Sequence, residues 1–252
     1  MKIDFLSEYK DKIVLISGSS GQIGGFMVEF FINLGCFVYG IDEKKSKFKS
    51  KKFIFIKCNI SNFKKTEKIV KKIYKRHKKI NVVINNAAVS YKSYLTKRTK
   101  IELLNSQSVN LIAPINLIKC IAKNHKKKYS CKIINIGSVY GVRSPDFKIY
   151  DNLKKVNSEI YGGTKAGLIQ ITKYFAVALA KQNIYVNCIS PGGLINHKSQ
   201  SKKFIKNYIS KVPLGRMCIE NDLQMALIYF SNDKTNYTTG QNLIIDGGFT
   251  SC

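Results

Sequence analysis

The feature that most constrains this chain is an apolar run that breaks into a glycine-rich turn and continues as an amphipathic helix, all within residues 13–34. Residues 13–16 are apolar, and the turn reads Ser17-Gly18-Ser19-Ser20-Gly21-Gln22-Ile23-Gly24. From Gln22 onward Ile23, Met27, Phe30, Phe31 and Leu34 recur at helical spacing, with Gly35 as a stop. A second apolar run over 36–41 then ends at Asp42. Strand, turn, helix and strand in this order predict a βαβ unit with parallel strands.

The alternation persists along the chain. Apolar runs at 53–56, 82–84, 132–136, 185–189 and 243–245 predict five further strands. Helical periodicity falls at 66–76, 101–123, 161–181, 201–209 and 222–230. Asn110 sits in the middle of the second of these, where an amide is uncomfortable unless it serves a purpose. The predicted fold is α/β: a Rossmann-type doubly wound, mostly parallel seven-stranded sheet with helices on both faces. No proline- or glycine-rich linker divides the 252 residues, so one domain over 1–252 is expected.

Composition narrows the function. The net charge of +28 is carried mostly by lysines scattered over polar helix faces, with no arginine-rich arm and no aromatic-interleaved basic groove. Specific nucleic-acid binding is therefore not expected, and an A/T-rich genome accounts for the lysine excess. The seven cysteines form no CxxC pair and keep no close spacing to the three histidines, so no metal site is expected. No apolar leader and no 18-residue apolar span is visible, which points to a cytoplasmic protein that does not enter a membrane.

Chemistry enters at the strand ends, where doubly wound sheets bind ligands. Gly18 would make the tight turn, Gly21 would relieve its middle, and Gly24 would let helix and strand pack closely. The N–H groups around Ser20, Gln22 and Ile23, together with the helix dipole, would favour a phosphate. A glycine-rich loop alone also serves as a plain tight turn, so its position between strand and helix matters. Asp42 supplies an independent check, because a carboxylate there accepts from ribose hydroxyls and repels a 2′-phosphate. NAD is the expected cofactor, although Lys44 and Lys45 weaken the case against NADP. Asn59, with Ile60, is a candidate for the adenine edge or a structural turn. Asn86, Ala87 and Ala88 follow the fourth strand beside the adenosine.

Tyr161-Gly162-Gly163-Thr164-Lys165 places a phenol and an ammonium one helical turn apart. The ammonium would lower the phenol's pKa toward a value useful for proton transfer. Tyr161 would then protonate a carbonyl oxygen during reduction or deprotonate an alcohol during oxidation.

These elements, together with Asn110, Ser138, Pro191-Gly192, Thr239-Gly240-Gln241 and Asp246-Gly247-Gly248, resemble the short-chain dehydrogenase/reductase family, in order and over nearly the whole chain. The resemblance implies an Asn-Ser-Tyr-Lys active site. Asn110 would hold a water and shape a helix distortion, Ser138 would bind the substrate oxygen, and Tyr161 would carry the proton. Lys165 would bind the nicotinamide ribose and tune Tyr161, while Pro191, Gly192 and Ile195 would shape the nicotinamide end. It also implies a homodimer or homotetramer built on the helices at 101–123 and 161–181.

Three departures stand out. Gln22 replaces the family's usual glycine, Asn59 replaces its usual aspartate, and Ser138 and Tyr161 are 23 positions apart instead of a dozen or so. The extra length, 143–160, is expected to form a substrate wall. With the polar stretch 196–203 it is similar to a bacterial subgroup associated with nucleotide-sugar and surface-glycan pathways. Lys198, Lys202 and Lys203 would meet an anionic nucleotide sugar or remain solvated surface charges. The expected activity is NAD-dependent hydride transfer between nicotinamide and an alcohol or carbonyl, with a noncatalytic dinucleotide-binding regulator as the alternative.

Overall fold

The computed structural model describes residues 7–92, 94–151 and 156–252. Seven strands form one sheet in the order β3-β2-β1-β4-β5-β6-β7: β1 (Ile13–Ser17), β2 (Phe37–Asp42), β3 (Phe53–Lys57), β4 (Val82–Asn85), β5 (Cys131–Ile136), β6 (Ile184–Pro191) and β7 (Asn242–Ile245). Every neighbouring pair is parallel. Parallel strands need crossovers, and helices supply them: α1 (Gln22–Asn33), α2 (Phe63–His77), α3 (Lys100–Gln107), α4 (Ala113–Asn124), α5 (Glu159–Leu179), α6 (Lys202–Ile209) and α7 (Gln224–Ser231).

The strands are mostly apolar because both faces are covered. β1, β4 and β5 are buried at every position. One face packs Ile69, Val70, Leu117, Ile121 and Leu179, from α2, α4 and α5, against Leu15, Val83 and Ile133. The other packs Met27, Phe31, Leu227 and Phe230, from α1 and α7, against Val14, Ile84 and Ile134. Chain order reverses between β1 and β4, and their carboxyl ends open a crevice at that switch point.

The expected elements are present, with boundaries moved by local chemistry. The helix expected at 66–76 begins at Phe63, because Asn62 accepts the Lys65 N–H at 3.0 Å and caps it. The helix expected at 161–181 runs from Glu159 to Leu179 and tightens into the 3-10 turn Ala180–Gln182. The single helix expected at 101–123 is interrupted: α3 and α4 are joined through a π-helical turn, Ser108–Ile112, centred on Asn110. All seven cysteines are free, and among the described residues no His, Cys, Asp or Glu cluster is arranged to hold a metal. No helix among them is long and apolar enough to cross a membrane.

Candidate active site

At the β1/β4 crevice the glycines act through contact. Gly18 has φ +67°, and a Cβ added there would lie 2.7 Å from the Ala87 Cα. A Cβ on Gly24 would lie 1.9 Å from the Gly18 carbonyl oxygen, so the turn closes only with glycine at both positions. Gly21 meets nothing nearer than 3.6 Å and leaves the middle of the turn open. Ser20, Gln22 and Ile23 surround the start of α1, whose first N–H groups have no acceptor inside the helix.

The β4 end is stitched to this turn. Asn86 donates through Nδ2 to the Gly18 carbonyl at 2.9 Å, and the Ser17 hydroxyl accepts from the backbone N–H groups of Asn86 and Ala87. Asp42 accepts the Ser20 N–H at 3.0 Å on one carboxylate oxygen and the Lys44 N–H at 2.9 Å on the other. That leaves lone pairs on both oxygens in a fixed orientation. A cavity of about 100 Å³ beside it is lined by Asp42, Asn59, Ile60, Ala87 and Ala88. Asn59 uses Oδ1 to accept from the Ser61 N–H at 2.8 Å, so it forms the structural turn and keeps its Nδ2 for a ligand. A dinucleotide fits these groups: crowding-free glycine for the phosphates, a carboxylate for the ribose, and an apolar slot for adenine.

The proton-handling residues lie across the cleft. Ser138 follows β5 and caps the 3-10 turn Val139–Gly141, accepting from the Tyr140 N–H at 3.1 Å. Gly141 lets this turn sit directly on α5, since a Cβ there would be 2.7 Å from the Lys165 backbone. That packing sets the Ser138 side chain and Tyr161 on the same pocket. One turn along α5, the Lys165 Nζ lies 5.8 Å from the Tyr161 ring centroid and donates to the Ile136 carbonyl at 2.6 Å.

The electrostatics correct one expectation. Burial raises the Tyr161 phenol above its ordinary value, and the Ser138 hydrogen bond offsets this only in part. The expected net lowering is therefore not what the fold produces in the phenol: its burial outweighs the groups that lower it. Burial instead pushes Lys165 itself down to about 8, with Cys188 acting weakly in the opposite sense.

Asn110 sits beneath this pair. Its Oδ1 accepts from the Val89 N–H at 2.8 Å, and its Nδ2 donates to the Val89 carbonyl at 2.9 Å and to Thr164 Oγ1 at 3.3 Å. Thr164 in turn donates to the Tyr161 carbonyl at 2.9 Å. The π turn thus aims one amide at both the segment after β4 and the first turn of α5.

A family model described as enoyl-(acyl carrier protein) reductase matches residues 39–250. The chain belongs to the short-chain dehydrogenase/reductase family. A short-chain dehydrogenase from Leptospira borgpetersenii serovar Hardjo-bovis, solved with bound NAD+, is 38% identical, covers 99% of this chain and 97% of its own, and superposes with a TM-score of 0.92. ElxO, solved with NADP, is 25% identical over 96% of this chain and 100% of its own, with a TM-score of 0.83. The 3-oxoacyl-[acyl-carrier-protein] reductase FabG of Thermotoga maritima is 27% identical over 94% of this chain and 97% of its own. This short-chain dehydrogenase/reductase is therefore a hydride-transferring oxidoreductase that uses NAD or NADP.

Within this family member, Pro191 closes β6, Gly192 donates its N–H to the Ile245 carbonyl at 2.8 Å, and the Ile195 N–H reaches the Cys218 carbonyl at 2.9 Å. These residues face the start of α1 across the cleft, because the Ile195 carbonyl accepts from the Gln22 side chain. A pocket of about 500 Å³ opens from Ser138, Tyr161 and Gly192. Its far wall holds Lys92, Tyr140, Tyr150, Asp151, Asn157, Gln200 and Ser201. The Tyr140 and Tyr150 hydroxyls lie 2.7 Å apart, and Ser201 donates to Asp151 at 2.6 Å. Burial pushes the Tyr150 phenol up to about 12.

Several of these residues escape sequence reading. Lys92 lies in a loop, and its approach to Asn157 is an isolated antiparallel bridge with no periodic signature. Tyr140 carries one usable signal, its place two residues after Ser138. The expected segment 143–160 does contribute Tyr150, Asp151 and Asn157, while its residues 152–155 lie outside the described residues. Lys198, Lys202 and Lys203 are exposed and do not line this pocket, whereas their neighbours Ser199, Gln200 and Ser201 do.

Proposed function

We propose that this chain is an NAD-dependent oxidoreductase acting on a polar alcohol or carbonyl, with a sugar or nucleotide sugar as the favoured substrate class. The observation that carries the reading is that Ser138 and Tyr161 open onto one pocket that also holds polar side chains, with the Lys165 Nζ 5.8 Å from the Tyr161 ring. The dinucleotide supplies or accepts the hydride. Tyr161 gives its proton to the substrate oxygen in reduction and takes it back in oxidation, while Ser138 holds that oxygen. Lys165 keeps one N–H on Ile136, and its remaining donors would hold the nicotinamide ribose. Asn110 anchors the helix turn below and holds a water in the proton path.

NAD is favoured over NADP because two backbone donors fix the Asp42 side chain where a 2′-phosphate would lie. The Thermotoga relative's name specifies a 3-oxoacyl substrate; here Lys92, Asp151, Asn157, Gln200 and Ser201 add hydrogen-bonding partners suited to a sugar to a lining that also holds Val139, Leu194 and Phe204. The segment 143–160 serves as the substrate wall of a single domain. Exposed Ile101 and Leu104 on α3, and Tyr174 and Val177 on α5, are the surface for a homodimer or homotetramer. Seven unpaired cysteines suit a cytoplasmic enzyme.

The test is a panel of nucleotide sugars, free sugars, small alcohols and 3-oxoacyl thioesters, followed by reduced-cofactor absorbance with NAD(H) and NADP(H). Turnover of polar substrates with NAD(H) is expected. Asp42→Ala should erode the NAD preference by roughly tenfold to a hundredfold, the worth of charge-assisted hydrogen bonds. Turnover confined to acyl thioesters would reject the substrate assignment, and an unchanged preference in Asp42→Ala would reject the cofactor assignment.

A further inference from the structure

The side chain of Gln22 turns away from the phosphate site. Its Nε2 donates to the Ile195 carbonyl at 2.9 Å and to Glu220 Oε1 at 2.8 Å, and its Oε1 accepts from Asn196 Nδ2 at 2.9 Å. Three segments distant in sequence meet at one amide: the first residue of α1, the segment after β6, and the 3-10 turn Glu220–Leu223 ahead of α7. The segment after β6 is itself stiffened, since Gln200 accepts the Asn196 N–H at 2.7 Å and donates to the Leu194 carbonyl at 2.9 Å.

The position of this junction matters. A dinucleotide lying between the Asp42 cavity and the Tyr161 phenol has to cross from the turn at 18–24 to the segment at 192–195. The Gln22 amide joins those two segments. We propose that Gln22, with Asn196, Glu220 and the Ile195 carbonyl, is a clasp that opens to admit the dinucleotide and slows its release once closed. The inference rests on the dinucleotide site proposed above and adds a residue that governs how long the cofactor stays.

The chemistry explains why glutamine suits the position. A primary amide donates and accepts, so one side chain satisfies a carbonyl, a carboxylate and an amide donor together. Glutamate would repel Glu220, lysine would lose the Asn196 bond, and glycine would make none of the three. All of these bonds lie at an exposed edge, where each contributes modestly and opens readily. Such contacts retard departure without sealing the site, and cofactor release is a step that commonly limits turnover.

The experiment measures NADH dissociation by stopped-flow fluorescence and AMP affinity by calorimetry, in the full chain and in Gln22→Ala, Asn196→Ala and Glu220→Ala. AMP reaches the adenosine cavity only and does not pass beneath the junction. NADH release about tenfold faster in Gln22→Ala is expected, with smaller accelerations in the other two and AMP affinity constant within about twofold. Unchanged NADH release in Gln22→Ala overturns the clasp. Parallel loss of AMP and NADH affinity also overturns it, because the side chain would then shape α1 as a whole. Failure of the unaltered chain to bind either ligand rejects the dinucleotide site itself, and the clasp with it.

Discussion

The two halves of the ligand cleft are built by different means. The adenosine half is made of main chain: glycines at 18 and 24 that tolerate no Cβ, backbone N–H groups held by Asp42, and the Asn86 amide reaching the Gly18 carbonyl. The substrate half is made largely of side chains from loops, with Lys92, Tyr150, Asn157 and Gln200 drawn from three separate stretches. Main-chain sites are specified by short contiguous motifs and resist change. Side-chain walls on loops can be rebuilt without disturbing the sheet.

The sharpest way to separate the halves is Tyr161→Phe. Removing the proton donor while keeping the ring should lower kcat by about 10²–10⁴-fold. NADH affinity, measured by fluorescence titration, should stay within about twofold, because the adenosine half is untouched. A proportionate loss of cofactor binding would show that the halves are one unit.

Within the substrate half, Lys92→Ala and Tyr150→Phe should raise KM by about tenfold each, the scale of one buried hydrogen bond, and change kcat less. Steady-state kinetics on the best substrate of the panel checks this. An effect on kcat alone would move these residues from the wall to the chemistry.

The smallest effect expected is on stability. The segment carrying Glu220 is held by Arg216, which makes two 2.7 Å bonds to Asp222, and by Asp222 accepting the Ile219 N–H at 2.9 Å. The Arg216 hydrogen bond, opposed in part by burial, holds the Asp222 carboxyl down at about 2, below its ordinary 3.8. A carboxyl depressed on folding stabilises above its unfolded value, and that contribution disappears as pH falls through about 2. Asp222→Asn should therefore cost about 1–2 kcal/mol at neutral pH, after allowance for partial solvent screening, and only a small part of that near pH 2. Urea unfolding at both pH values measures it.

The same contrast explains what could be read from the residues alone. The strands, the glycine turn, Asp42 and the Tyr161/Lys165 pair announce themselves because period, spacing and contiguity carry them, while Ser138 and Asn110 are marked by the family resemblance. The pocket wall does not, since Lys92 and Asn157 approach each other across the fold and neither residue marks itself locally. The direction of the Tyr161 shift is hidden for a related reason. Helical spacing shows that Lys165 is near, but only three dimensions show how deeply the phenol is buried, and burial is what raises it. Gln22 reads as a departure from a glycine pattern, and its partners at 195, 196 and 220 emerge only on folding.

The π turn at Ser108–Ile112 is, in effect, a helix with one residue too many. Excising a single residue there would restore regular winding and rotate Asn110 by roughly a quarter turn or more relative to α4. Its amide would then miss both Val89 and Thr164. Substitutions can adjust the amide, but only insertion or deletion can create or erase the geometry that points it, so drift by point mutation leaves this part of the architecture unable to slide gradually into another form.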